Sequence, residues 1–205
     1  LREAFDPAVA YVQLNLIDSH DSNRVGSHIV NADGVPYRDW PAYHPASKAV
    51  DNPDYDPRKP NADEVAIQKL IVLFLMTYVG APMIYYGDEV GLWGANDPCC
   101  RKPMLWPELQ YEPEVYRPDG TRRAAPDSVG VDGDLLEPYR ALIRLRRENP
   151  ALSLGDFETV LADDARQIYA YRRRLDDQDL LVVLNNTNET QQVALPIQSG
   201  GSWRD

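Results

Sequence analysis

The stretch Leu14-Asn15-Leu16-Ile17-Asp18-Ser19-His20-Asp21-Ser22-Asn23-Arg24 decides how this chain is read. An apolar, strand-like entry runs directly into two carboxylates, an imidazole and a guanidinium. A buried strand that empties into such a cluster is a typical place for a carbohydrate or phosphate site in an α/β protein. Tyr11 to Ile17 is therefore expected to be a strand, with Asp18 to Arg24 leaving its carboxyl end.

Before it, Asp6-Pro7 reads as the stop of a helix. After it, residues 25–60 are polar and rich in Pro, Asp, Asn and Tyr, and read as a long extended loop. Its aromatics Tyr37, Trp40, Tyr43 and Tyr55 suit either stacking on sugar rings or pinning the loop to the surface. A capped helix follows, with Asn61 and Glu64 forming a capping-box pattern and Gly80-Ala81-Pro82 ending the segment. Met83 to Tyr86 reads as a second buried strand. Another long loop leads to a helix with Asp134 as its cap and Leu135, Leu136, Tyr139, Leu142, Ile143 and Leu145 as its apolar stripe. Strand, helix, strand, helix order argues for parallel pairing with right-handed crossovers. Beyond Pro150 the pattern changes to short alternating strands, at 157–161, 168–175, 180–185 and 191–195, with turns at Asp176-Asp177 and Asn185 to Asn188. The expected division is 1–150 and 151–205.

The 205 residues carry a net charge of −11 and a pI near 4.7. That balance argues against a nucleic-acid partner, which needs basic patches. No apolar run approaches the roughly 20 residues that span a bilayer, so no membrane partner is expected. Cys99 and Cys100 are adjacent, without metal-ligand spacing, and read as reduced loop thiols. No metal ligands and no cofactor are evident. The first residue is not methionine and no signal-peptide pattern is present, so the chain reads as a piece of a longer protein and its localisation is unknown.

The second informative stretch runs from Ile84 to Trp106, IYYGDEVGLWGANDPCCRKPMLW. A strand opens into a glycine-punctuated loop that carries Asp88, Glu89, Asp97 and Arg101 between two tryptophans, Trp93 and Trp106. Carboxylates and Arg for hydroxyls, with aromatic faces for rings, is how sugars are bound. Together, Ser19-His20-Asp21 with Arg24, Gly80-Ala81-Pro82-Met83-Ile84-Tyr85-Tyr86-Gly87-Asp88-Glu89 and Asn96-Asp97-Pro98 through Arg101-Lys102-Pro103-Met104 resemble the α-amylase family, glycoside hydrolase family 13. The likeness is to its neopullulanase, cyclomaltodextrinase and maltogenic-amylase branch.

The resemblance implies an α/β fold: strands seven and eight with helices seven and eight of a (β/α)8 TIM barrel, then an antiparallel all-β C-terminal domain. It implies a fragment of a retaining α-glucan hydrolase acting on α-1,4-glucosidic bonds of maltooligosaccharides, cyclodextrins or pullulan. By the same resemblance Asp21 is the catalytic carboxylate that stabilises the transition state, and His20, Asp97 and Arg101 bind substrate. Asp18 and Arg24 are supporting charges that orient Asp21. The nucleophile and general acid belong to earlier strands of the family's barrel, so this chain alone is expected to be inactive. A structural calcium would lie elsewhere in the parent. Two barrel strands without neighbours leave open edges, so self-association through them is expected. A different class remains open: a non-catalytic relative that keeps the fold as a binding or scaffold protein.

Overall fold

The computed structural model describes residues 6–195. Asp6-Pro7 begins a helix rather than ending one. The Asp6 carboxylate accepts the Ala8 N–H at 2.8 Å, and Pro7 occupies the first helical position of α1, Pro7–Val12. Proline suits that position, because its missing N–H would have no helical partner there. The strand expected from Tyr11 is correspondingly shorter: β1 is Leu14–Asn15. The presumed loop 25–60 contains two short helices, α2 at Val25–Val30 and α3 at Trp40–Ala46. Both are too short for hydrophobic periodicity to declare them.

Helix α4, Ala62–Thr77, has the expected capping box. Asn61 accepts the Glu64 N–H at 3.0 Å, and Glu64 accepts the Asn61 N–H at 2.7 Å. Gly80, at φ +110°, sits where a side chain would meet Asn15 and the Gln13 carbonyl. The chain then forms β2 at Ala81–Pro82, two residues earlier than Met83. β1 and β2 pair in parallel, Leu14 with Ala81 and Asn15 with Pro82. The long segment after β2 is broken by a hairpin, β3 at Glu114–Tyr116 and β4 at Arg122–Asp127.

Helix α5, Gly133–Glu148, is capped by Asp132 instead of Asp134. The Asp132 carboxylate accepts the Leu135 N–H at 2.9 Å, while its own N–H donates to the Val90 carbonyl at 3.1 Å, a tertiary tie that fixes where the helix starts. α4 and α5 enclose the main core: Val72, Leu75 and Met76 against Leu135 and Tyr139. Helix α6, Pro150–Leu154, leads into an antiparallel sheet of β5 at Asp156–Asp163, β6 at Ile168–Leu175 and β7 at Gln178–Asn185, in that order. Residues 191–195, expected to be a strand, are not in one.

The sheet is fastened to the helical part. Arg173, fully buried, donates to the carbonyls of Thr77 at 2.8 Å, Leu152 at 2.7 Å, Gly155 at 3.1 Å and Asp156 at 3.2 Å. The hydroxyls of Thr77 and Tyr171 are 2.5 Å apart, and Tyr171 packs edge-on to Phe74 and Tyr78. Alongside this contact α4 is less fully covered. Ile67, Leu70, Ile71 and Phe74 line a groove with Ile17 and the near end of the sheet, with adjoining cavities of about 620 and 700 Å³.

Candidate active site

The site is assembled by lacing the segment after β1 to the segment after β2. Arg24 is the main tie. Its backbone N–H donates to the Gly94 carbonyl at 2.9 Å, and its buried guanidinium donates to the carbonyls of Cys100 at 2.8 Å and Tyr86 at 2.7 Å. The same group pairs with Asp88 at 2.8 Å and lies over the rings of Tyr85 and Tyr86, 4.4 and 4.8 Å from their centroids. Gly94 is needed there: its N–H reaches the Ser27 hydroxyl at 2.9 Å, and a Cβ would fall 2.2 Å from the Cys99 carbonyl oxygen.

Asp18 accepts the Val25 N–H at 2.6 Å, at the start of α2, where that donor has no helical partner. Asp18 and Asp88 are both buried and are close neighbours that act on each other's charge. Burial pushes both carboxyls up, Asp88 well above the usual range, where the neighbouring Asp18 adds to the effect and Arg24 opposes it. The Arg24 guanidinium, paired with Asp88, offsets part of that desolvation. Asp18 and Arg24 are thus placed differently from the sequence expectation. Neither touches the Asp21 side chain; their bonds hold the two loops together behind it.

The lacing brings His20, Asp21, Asp97 and Arg101 to one edge. Arg101 lies at the end of a single helical turn, Cys99–Arg101. Its guanidinium pairs with Asp97 at 2.7 Å and with Asp21 at 3.3 Å, and it donates to the His20 carbonyl at 3.2 Å. The His20 imidazole is 3.2 Å from the other Asp21 oxygen. The Cys100 thiol donates to the His20 carbonyl at 3.2 Å, and both cysteines are free. The four side chains face solvent, His20 at 63% and Asp21 at 58% exposed. None of them lines the larger cavities, which lie beside α4 and the β sheet. The cluster is an exposed set of two carboxylates, an imidazole and a guanidinium, groups chemically suited to hydroxyls.

Other residues singled out from the sequence separate by burial. Trp93 is fully buried and Trp106 is exposed. Tyr43 and Tyr55 are buried, while Tyr37 and Trp40 stand at the surface, edge to face at 5.4 Å. His28 is not a surface group. It stacks on Tyr43 at 5.9 Å beside a cavity of about 190 Å³ lined by Asn23 and Tyr55, and burial pushes it down to about 4. Among the described residues no group of three or more His, Cys, Asp or Glu is arranged to hold a metal, and no helix is long and apolar enough to cross a membrane.

Residues 157–205 match the family model described as the maltogenic amylase C-terminal domain. Neopullulanase 2 of Thermoactinomyces vulgaris is 41% identical over 139 residues, covering 67% of this chain and 20% of that protein. The chain belongs to the α-amylase family, glycoside hydrolase family 13, in its neopullulanase, cyclomaltodextrinase and maltogenic-amylase branch. A solved cyclomaltodextrinase superimposes with a TM-score of 0.60 at 32% identity, covering 93% of this chain and 24% of that one. The cyclic α-maltosyl-(1→6)-maltose hydrolase of Arthrobacter globiformis, in complex with cyclic α-maltosyl-(1→6)-maltose, does so at 0.52 and 27%, covering 84% and 27%. This member of the glycoside hydrolase family thus spans about a fifth of the length of the curated relatives it matches.

Proposed function

We propose that residues 1–150 are the last two strand–helix units of a (β/α)8 catalytic barrel, and residues 151–205 the C-terminal β domain, of a retaining α-glucan hydrolase. The substrates are maltooligosaccharides, cyclodextrins or pullulan, cleaved at α-1,4 bonds. The observation that carries this reading is Arg101, which bridges Asp21 and Asp97 and so joins the tips that follow β1 and β2. In an α/β barrel the carboxyl ends of the strands are where substrate is bound.

Asp21 is the catalytic residue of this segment. Retaining glycosidases flatten the sugar ring toward an oxocarbenium ion between a carboxylate nucleophile and a carboxylic acid roughly 5 Å apart. A third carboxylate bound to ring hydroxyls tightens its hydrogen bonds as the ring distorts, so it stabilises the transition state more than the bound sugar. His20 binds the same sugar, and Asp97 with Arg101 holds its neighbour. The nucleophile and acid come from strands outside this chain.

The test uses the full-length enzyme and this chain side by side. Asp21→Asn in the full-length protein is expected to lower kcat by at least about a thousandfold, or roughly 4 kcal/mol of transition-state stabilisation. The isolated 205-residue chain is expected to release no reducing sugar from cyclodextrin or pullulan. A full-length protein that binds cyclodextrin without turning it over, wild type and Asp21→Asn alike, is a binding protein and overturns the reading.

A further inference from the structure

The side chain next to Arg101 points away from the open edge and is tied to groups behind it. Lys102 is extended, φ −57° and ψ 150°, so its side chain leaves on the far side of the loop. Its ammonium lies 4.2 Å from the centroid of the buried Trp93 ring and pairs with Glu114 on β3. Glu114 in turn takes Arg123 of β4 at 3.0 Å, and Arg123 pairs with Asp127 at 2.8 Å. Arg123 also donates to the Pro57 and Tyr116 carbonyls at 3.1 and 3.0 Å, and Asp127 accepts the Lys59 N–H at 3.2 Å. The Lys102 carbonyl accepts from the Tyr86 hydroxyl at 2.8 Å.

These groups are partly buried: Lys102 is 25% and Arg123 7% exposed. Screening is weak there, and the pairs are mutually constrained. The Arg101–Asp21 contact is the reverse case, long at 3.3 Å and open to water. Exposed pairs of that kind contribute about 0–1 kcal/mol and do not hold their own geometry. Asp97 and the His20 carbonyl also hold Arg101, at 2.7 and 3.2 Å, but they lie on the same exposed edge; the covalent neighbour anchored into the hairpin adds the fixed point behind it.

We infer that Lys102 and Glu114 are positioning residues: through the ion-pair chain of the β3–β4 hairpin they hold Arg101 in register with Asp97 and Asp21. This inference rests on the site reading above and extends it to a hairpin more than a dozen residues away in sequence from Arg101. Misplacing a substrate-holding group by about 1 Å costs on the order of a hundredfold in rate.

The experiment is a set of variants of the full-length enzyme assayed on cyclodextrin well below each variant's Tm. Lys102→Met, which keeps the packing length and removes the charge, is expected to lower kcat/KM tenfold to a hundredfold. Glu114→Gln is expected to act in the same direction, and Lys102→Arg to restore most of the loss. Combining Lys102→Met with Arg101→Ala is expected to cost no more than Arg101→Ala alone, because both act on one group. A Lys102→Met enzyme with lowered Tm but kcat/KM within twofold of wild type would overturn the inference and leave the site reading intact. A double variant whose loss is the product of the two single losses would do the same. An Arg101→Ala enzyme with wild-type kcat/KM would overturn both. If Lys102→Met fails to fold, Glu114→Gln with Arg101→Ala supplies the same cycle.

Discussion

His28 shows how a residue with no motif around it comes to matter. In the sequence it has no visible partner. In the fold it stacks on Tyr43, whose hydroxyl accepts the Asn23 N–H at 3.0 Å and lies 3.5 Å from His28 Nε2. Burial lowers it to about 4 from 6.5. The charged state is therefore disfavoured when folded. Between pH 6.5 and 4 the unfolded chain binds the proton and the folded one does not, so stability is full above 6.5 and falls as pH drops through that window. The loss reaches roughly 3 kcal/mol at about 1.4 kcal/mol per pH unit. His28→Phe, which keeps the ring contact, should flatten this slope in denaturant unfolding of the full-length enzyme between pH 7 and 4. Asp54 lines the same cavity, and the raised Asp18 and Asp88 titrate with the opposite sign, so the difference between variant and wild type is the quantity to measure. Equal slopes would show that His28 accepts its proton in the folded state.

At the scale of elements, legibility followed length and local chemistry. The capping box at Asn61 and Glu64 and the strand Ile168–Leu175 could be read directly, because each is specified by residues within a few positions. Helices α2 and α3 could not, since six or seven residues carry no period. Nor could the Asp132 cap, which depends on the distant Val90 carbonyl. The site divides in the same way. His20, Asp21, Asp97 and Arg101 were nameable from their motifs, and the fold does bring them together. Lys102 lay inside the motif without a role and Glu114 lay outside it, because a lysine in a loop and a glutamate in a hairpin acquire meaning only when the two meet. Arg173 is similar: it lies mid-strand in β6 in a run of three arginines, and nothing local marks it as the one that is fully buried. Arg173→Met should leave the Thr77, Leu152 and Gly155 carbonyls without this donor. At about 1–3 kcal/mol for each group left unsatisfied, the combined loss is at least about 3 kcal/mol. It would be seen as a lowered Tm of the full-length enzyme, and a change under 1 kcal/mol would mean that water replaces the guanidinium.

For the molecule as a whole, the open groove along α4 sets the behaviour of the chain on its own. Exposed Ile67 and half-buried Leu70, Ile71 and Phe74 line it, near the exposed Leu14 and Leu16, and β1 and β2 have no further strand beside them among the described residues. Apolar surface of this kind, next to unpaired strand edges, drives association. The isolated chain should therefore sediment as dimers or larger species at micromolar concentration, and Ile67→Glu with Leu16→Gln, both exposed, should shift it toward monomer. A monodisperse wild-type monomer would show that the groove is closed by some rearrangement within the chain.

The Arg173 fastening carries a lesson for anyone recombining such enzymes. The sheet shares its buried guanidinium with the end of α4 and with α6, so a crossover point at the apparent seam near residue 150 would cut a jointly owned set of contacts. A graft taken upstream of Ala62 would carry donor and acceptors together, and chimeras built that way should inherit the thermal tolerance of a single parent.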